Sequence, residues 1–148
     1  MKCVIQRVKS ASVTVEGKVV GAIGQGVLVY LGADHGDSEK ELDFVAEKIP
    51  NLRIFPDEDD KMNLSLWDVD GAILLVSQFT LYGDCRKGRR PGFSDAAKPE
   101  LAKELYERLI NKWRGMGIQT ETGIFQSDML VESVNWGPAT FILDTKAE

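Results

Sequence analysis

A chain of 148 residues, 43% hydrophobic and 28% charged, has the length and composition of one globular domain, taken as residues 1–148, with a real core. Its net charge of −5, from 18 basic and 23 acidic residues, excludes binding of nucleic-acid backbone along an extended basic face, but not a local grip on a nucleic-acid end. No apolar run reaches membrane-span length, and Met1–Arg7 lacks the apolar segment of a signal peptide, so a cytoplasmic protein without membrane contact is expected.

Residues 3–8 and 11–15 alternate Val and Ile with polar side chains and predict strand. Glu16-Gly17-Lys18 turns the chain into a partner strand over 19–23, and Val27–Leu31 is apolar enough for a fully buried strand. Ser38 and Glu41 have capping-box spacing. Leu42, Val45, Ala46 and Ile49 share one helical face behind them, which predicts a helix over 39–49 ended by Pro50. Leu52–Phe55 reads as a short strand, and the acidic run Asp57–Asp60 as a turn, since it lacks the spacing of a calcium loop. Asp70-Gly71 is a hairpin signal leading into an apolar strand over 72–77. From Tyr82 to Phe93 the chain is irregular and basic, with Arg86, Lys87, Arg89 and Arg90. A second helix starts near Pro99, presents Leu101, Leu105, Leu109 and Trp113 on one face, and ends at Gly115-Met116-Gly117. Residues 118–125, 129–134 and 140–144 supply the last strands. The pattern predicts an α+β domain: a mostly antiparallel, barrel-like β-sheet with two α-helices packed outside.

Familiar catalytic equipment is missing. The single histidine, His35, lies in a polar loop; Cys3 falls in an apolar strand pattern; Cys85 sits in the Arg-rich loop with no second catalytic residue attached. No zinc spacing, nucleophile elbow or phosphate-cradling glycine loop is present, so neither a metal nor a cofactor is expected.

Two stretches stand out. Ser77-Gln78-Phe79-Thr80-Leu81 ends a buried strand, where backbone N–H groups leave the ladder and can face an oxyanion. The plainer alternative is that Ser77 and Thr80 close the strand and Phe79 is core. Asn135-Trp136-Gly137-Pro138-Ala139-Thr140 interrupts a β run, and Gly-Pro must break the ladder there. Taken alone it reads as an ordinary hairpin turn, at which a cis peptide is also affordable.

Together, Ser77–Leu81 and Asn135-x-Gly137-Pro138-x-Thr140 resemble the paired signature motifs of the D-aminoacyl-tRNA deacylases, chiral proofreading enzymes of translation. Ile5–Val8, Ala11–Val15, Arg53–Phe55 and Lys61–Leu64 resemble that family too, in order, over residues 1 to about 144. Ala139 departs from it: Val stands there in many members, and the smaller side chain implies looser packing beneath the loop.

The resemblance implies hydrolysis of the ester joining a D-amino acid, or glycine mischarged on tRNA-Ala, to the terminal adenosine of aminoacyl-tRNA. It also implies a homodimer with active sites at the interface. Gly137-Pro138 would be a cis peptide reaching into the partner's pocket, its carbonyls holding the α-ammonium and leaving no space for an L side chain. The implied catalytic group is Gln78, Phe79 and Thr80, with backbone N–H groups as oxyanion site. Thr80 either orients substrate or attacks it, although nothing in the sequence gives it a base. Ser77, Asn135, Gly137, Pro138, Thr140, Arg7 and Met129 are the implied substrate-binding residues. Arg7, read as facing out of the first strand, either hydrogen-bonds the Gly-Pro loop or forms a surface salt bridge. The loop Arg86–Arg90 is placed to meet tRNA phosphates. A non-catalytic RNA-end or small-ligand module, and a hydrolase built on Cys85, are the competing readings.

Overall fold

The structure, a computed structural model, describes residues 1–146. The elements in chain order are β1 (Lys2–Val15), β2 (Lys18–Ile23), β3 (Gly26–Gly32), α1 (Glu39–Asn51), β4 (Phe55–Pro56), β5 (Met62–Leu64) and β6 (Ala72–Ser77). A 3₁₀ turn (Phe79–Tyr82), α2 (Pro99–Gly115), β7 (Thr120–Thr122) and β8 (Leu130–Asp144) follow.

β1 organises the rest. It is long enough to carry β3 along Lys2–Val8 and β2 along Ala11–Val15, while β8 runs antiparallel to it from Lys2 to Thr14. β6 and β7 extend the sheet beyond β3, and β2 curls round to meet β7 so closely that a Cβ on Gly21 would lie 2.3 Å from the Thr122 carbonyl oxygen. The expected barrel-like α+β architecture with two helices is thus present. Antiparallel pairs predominate, but β3–β6 and β6–β7 are parallel. The reason is connectivity: each of those pairs is joined by a crossover containing a helix, which parallel strands require.

Both faces of the curled sheet are covered, which explains the unbroken apolar runs of β3 and β6. Cys3, Ile5, Val27, Val29, Leu31, Ile73 and Leu75 face the helices, where Leu42, Val45, Ile49, Leu105, Leu109 and Trp113 meet them. Val8, Val13, Leu28, Leu74 and Val76 fill the inside of the curl.

Three local expectations change. The first helix runs through Pro50 to Asn51 rather than stopping before it. Proline there removes only the N–H that would bond the Ala46 carbonyl, and the Trp113 indole N–H donates to that carbonyl instead, at 3.0 Å. Asp70-Gly71 forms a tight turn, with the Gly71 N–H on the Leu66 carbonyl, but no hairpin, because β5 pairs only with β4. Nor does the Gly-Pro stretch reverse the chain: residues on both sides of it pair antiparallel with the same strand, β1. Gln6 faces Thr140 and Val8 faces Asn135, so residues 136–139 stand opposite Arg7 alone and are pushed out as a bulge.

Candidate active site

β6 delivers Ser77 to the end of the core, and the chain tightens at once into the 3₁₀ turn. The Gln78 N–H still reaches back to the Leu31 carbonyl at 2.7 Å, so it is not available as an oxyanion donor. The internal bonds of the turn begin with the Leu81 N–H on the Gln78 carbonyl. Phe79 and Thr80 therefore carry the two N–H groups that such a turn leaves without an internal acceptor. The Gln78 side-chain amide donates to the Thr80 hydroxyl, fixing that side chain from outside.

Beside this turn lies a pocket of about 620 Å³. Val76, Ser77, Gln78 and Phe79 form one wall, Ala97, Pro99 and Ala102 the start of α2, and Phe125, Gln126, Ser127, Met129 and Val131 the side towards β8. Of the expected residues it brings together Ser77, Gln78, Phe79 and Met129, with Thr80 exposed just outside. None of these lining residues has a titratable side chain. The polar side chains on the lining are the hydroxyls of Ser77 and Ser127 and the amides of Gln78 and Gln126.

Beyond Ser77–Phe79, Met129 is the one lining residue that the family resemblance implied. Gln126, held at φ +64, is a non-glycine residue in the left-handed region on that wall, and no sequence pattern announces it. Phe93 stacks edge-on against Phe79, ring centroids 5.1 Å apart, and so joins the basic loop to the pocket mouth. That loop is closed by reciprocal backbone bonds between Asp84 and Gly92. Asp84 pairs bidentately with Arg86, at 2.8 and 2.7 Å, which lowers the pKa of the carboxyl. Lys87, Arg89 and Arg90 make no ion pair among the described residues. Beneath the turn Tyr82 is buried; desolvation first, then Asp37, Asp34 and Asp144, push its phenol well above the ordinary range.

Arg7, Asn135, Gly137, Pro138 and Thr140 form a second assembly that does not line this pocket within one chain. The peptide between Gly137 and Pro138 is cis, and Gly137 has φ +137. Asn135 staples the bulge: its side-chain oxygen accepts the Ala139 N–H at 2.8 Å, and its amide donates to the Thr140 hydroxyl at 3.1 Å. Asn135, half-buried, and Thr140, exposed, thus help hold the shape of the bulge. Ala139 is buried under the bulge. Arg7 does not face out. It lies on the same face as Cys3 and Ile5 and is 7% exposed, because strand alternation puts odd residues of this segment inward. Its Nε donates to the Trp136 carbonyl at 2.9 Å and its Nη1 to the Ile54 carbonyl at 2.6 Å. It forms no salt bridge among the described residues.

The pocket, lined without titratable side chains, adjoins a turn with orphan backbone donors, and the cis-peptide bulge stands apart from it within one chain. Residues 4–144 match the family model described as D-Tyr-tRNA(Tyr) deacylase. A D-aminoacyl-tRNA deacylase of Koribacter versatilis is 59% identical over 148 residues, 100% of this chain and 99% of that protein. A solved structure titled c-Myc DNA Unwinding Element Binding Protein superposes with a TM-score of 0.92 at 40% identity, covering 99% of this chain and 100% of that one. Another, titled as a probable eukaryotic D-amino acid tRNA deacylase, shares the fold, with a TM-score of 0.83 at 18% identity and coverage of 96% and 97%. The chain belongs to the D-Tyr-tRNA(Tyr) deacylase family, and it is an enzyme of that hydrolase class.

Proposed function

We propose that this enzyme cleaves the ester between a D-amino acid and the 3′-terminal adenosine of tRNA, acting as a homodimer in the cytoplasm. The observation that carries the reading is the pocket itself. At its edge the turn leaves the N–H groups of Phe79 and Thr80 without an internal acceptor, and its lining carries no titratable side chain. Water adds to the ester carbonyl, the developing oxyanion is met by those two donors, and the ribose oxygen leaves with a proton. The substrate is already an activated ester, and its neighbouring 2′-OH helps to position the water. Thr80, taken up by the Gln78 amide and without any base in the pocket, orients the turn rather than attacking.

The Gly137-Pro138 bulge acts on the pocket of a second copy. Two features support this. Within one chain the bulge and the pocket do not meet, and β8 is a long edge strand with Leu130, Val134 and Ile142 exposed. The bulge carbonyls of Gly137 and Pro138 take the substrate ammonium and block one of the two Cα substituent directions. Chirality is then read by exclusion, without recognition of any particular side chain. Glycine escapes such a filter, so glycine mischarged on tRNA-Ala is a second substrate. Lys87, Arg89 and Arg90 meet tRNA phosphates at the pocket mouth.

The test is release of free amino acid from D- and L-aminoacyl-tRNA at catalytic enzyme concentrations, with Thr80→Ala alongside. D-specific release and near-normal turnover by Thr80→Ala are expected. Absence of D-release identifies a binding module, and a trappable acyl-enzyme lost with Thr80 identifies covalent catalysis.

A further inference from the structure

We infer that Trp136, with Lys9, is the positioning element that fixes the Gly-Pro bulge in this chain; the inference rests on the chirality-filter reading above. Arg7 is tied to Trp136 twice. It donates to the Trp136 carbonyl, and its guanidinium carbon lies 4.6 Å from the centroid of the same residue's ring. The ring is gripped further: Lys9 Nζ lies 3.5 Å from its centroid, and Phe55 packs against it at 6.1 Å with planes tilted by 53°. Phe55 is fully buried, and the neighbouring Ile54 carbonyl takes the other arm of Arg7. The bulge is thereby keyed into the helix-side core by one aromatic side chain, between two cations from β1 and a core phenylalanine.

The geometry makes Trp136 more than core filling. Its Cα immediately precedes Gly137, the residue at which the bulge leaves the sheet, and Arg7 already sits where a Cβ on Gly137 would be, 2.8 Å from Nη2. Any rotation of residue 136 moves both the Arg7 anchor and the carbonyls that follow it. Asn135 fixes the two ends of the bulge to each other, whereas Trp136 ties the bulge to the helix-side core through its ring. Tilt decides how much room an L side chain finds, so loss of the ring shows first as a leak in selectivity.

The experiment measures kcat/KM for D- and L-tyrosyl-tRNA with the full-length parent, Trp136→Ala, Trp136→Phe and Lys9→Met, with thermal unfolding of each. Trp136→Ala is expected to lower the D-to-L ratio roughly ten- to a hundred-fold, as misplacement by about 1 Å does at reacting centres. Trp136→Phe restores most of the ratio. Lys9→Met, at an exposed position that does not threaten folding, lowers it about two- to five-fold through loss of the cation on the ring. Folded Trp136→Ala and Lys9→Met proteins with the parent's ratio overturn the inference. If Trp136→Ala does not fold, the Lys9→Met ratio alone decides. A parent that releases no D-amino acid fails the proposed function instead, which separates the two outcomes.

Discussion

Replacing Gly137 by alanine should injure this protein far more than a methyl group usually does. A residue with a side chain at φ +137 costs about 1–3 kcal/mol in backbone strain. The new Cβ would also lie 2.8 Å from Arg7 Nη2 and 3.0 Å from the Ala139 nitrogen. Arg7 has no slack, since Nε and Nη1 are committed to the Trp136 and Ile54 carbonyls. Moving it forfeits a charge-assisted hydrogen bond in a buried place, about 1.5–3 kcal/mol. The combined loss is about 3–6 kcal/mol, a fall of about 10–20 °C in Tm for a domain of this size. Gly88→Ala is the matched control, with φ +68 and open space around its Cβ, and should cost about 1–2 kcal/mol. Calorimetry or circular dichroism on both proteins reads the difference directly. A Gly137→Ala protein melting within about 3 °C of Gly88→Ala would refute the reasoning, because the contacts with Arg7 and Ala139 and the φ of +137 are what set the two sites apart.

Trp113→Phe removes the indole donor that replaces the N–H missing at Pro50 on the Ala46 carbonyl, and should cost about 1–3 kcal/mol beyond the lost ring. Adding Pro50→Ala restores an N–H at the right place, so a double-mutant cycle on denaturant midpoints should show a coupling of about 1 kcal/mol; strict additivity would contradict it. Burial pushes the Cys3 thiol up to about 12, whereas Cys85 is exposed. Iodoacetamide should therefore label Cys85 alone in the native protein, and Cys85→Ser should retain full turnover; an inactive Cys85→Ser would revive the cysteine-hydrolase reading. Arg89→Gln with Arg90→Gln should weaken tRNA binding and reduce the slope of log affinity against log salt by about 0.7 per lost contact. An unchanged slope in filter-binding titrations would remove the loop from the tRNA interface.

What the residues disclosed in advance depended on range. Short-range signals held: Ser38 and Glu41 cap α1, with the Ser38 N–H on the Glu41 carboxylate at 2.8 Å, and Pro99 opens α2. The motifs at Ser77–Leu81 and Asn135–Thr140 marked the two assemblies, because glycine, proline and a sudden run of polar residues interrupt strands visibly. Arg7 was misjudged. Alternation along β1 allowed either face, and only the carbonyls of Ile54 and Trp136, supplied from far along the chain, make its burial tolerable. Pro50 was misjudged for the same kind of reason, since its helix-breaking effect is offset by an indole from the other helix. Of the pocket wall at Phe125–Val131 the resemblance pointed to Met129 alone; the others are ordinary residues placed by tertiary packing.

The pairing of β1 with β8 carries a consequence for how the enzyme comes into being. β1 must wait for β8, which is synthesised more than a hundred residues later, since Lys2 pairs with Asp144 and Thr14 with Leu130. Contacts so distant in sequence are slow to form, because a large loop must close before they stabilise anything. Met129 and Val131 of the pocket wall, the bulge, and the carbonyl that receives Arg7 all arrive with that closing strand. A chain ending before Leu130 has neither a complete pocket wall nor the bulge. Both are thus acquired in one folding event.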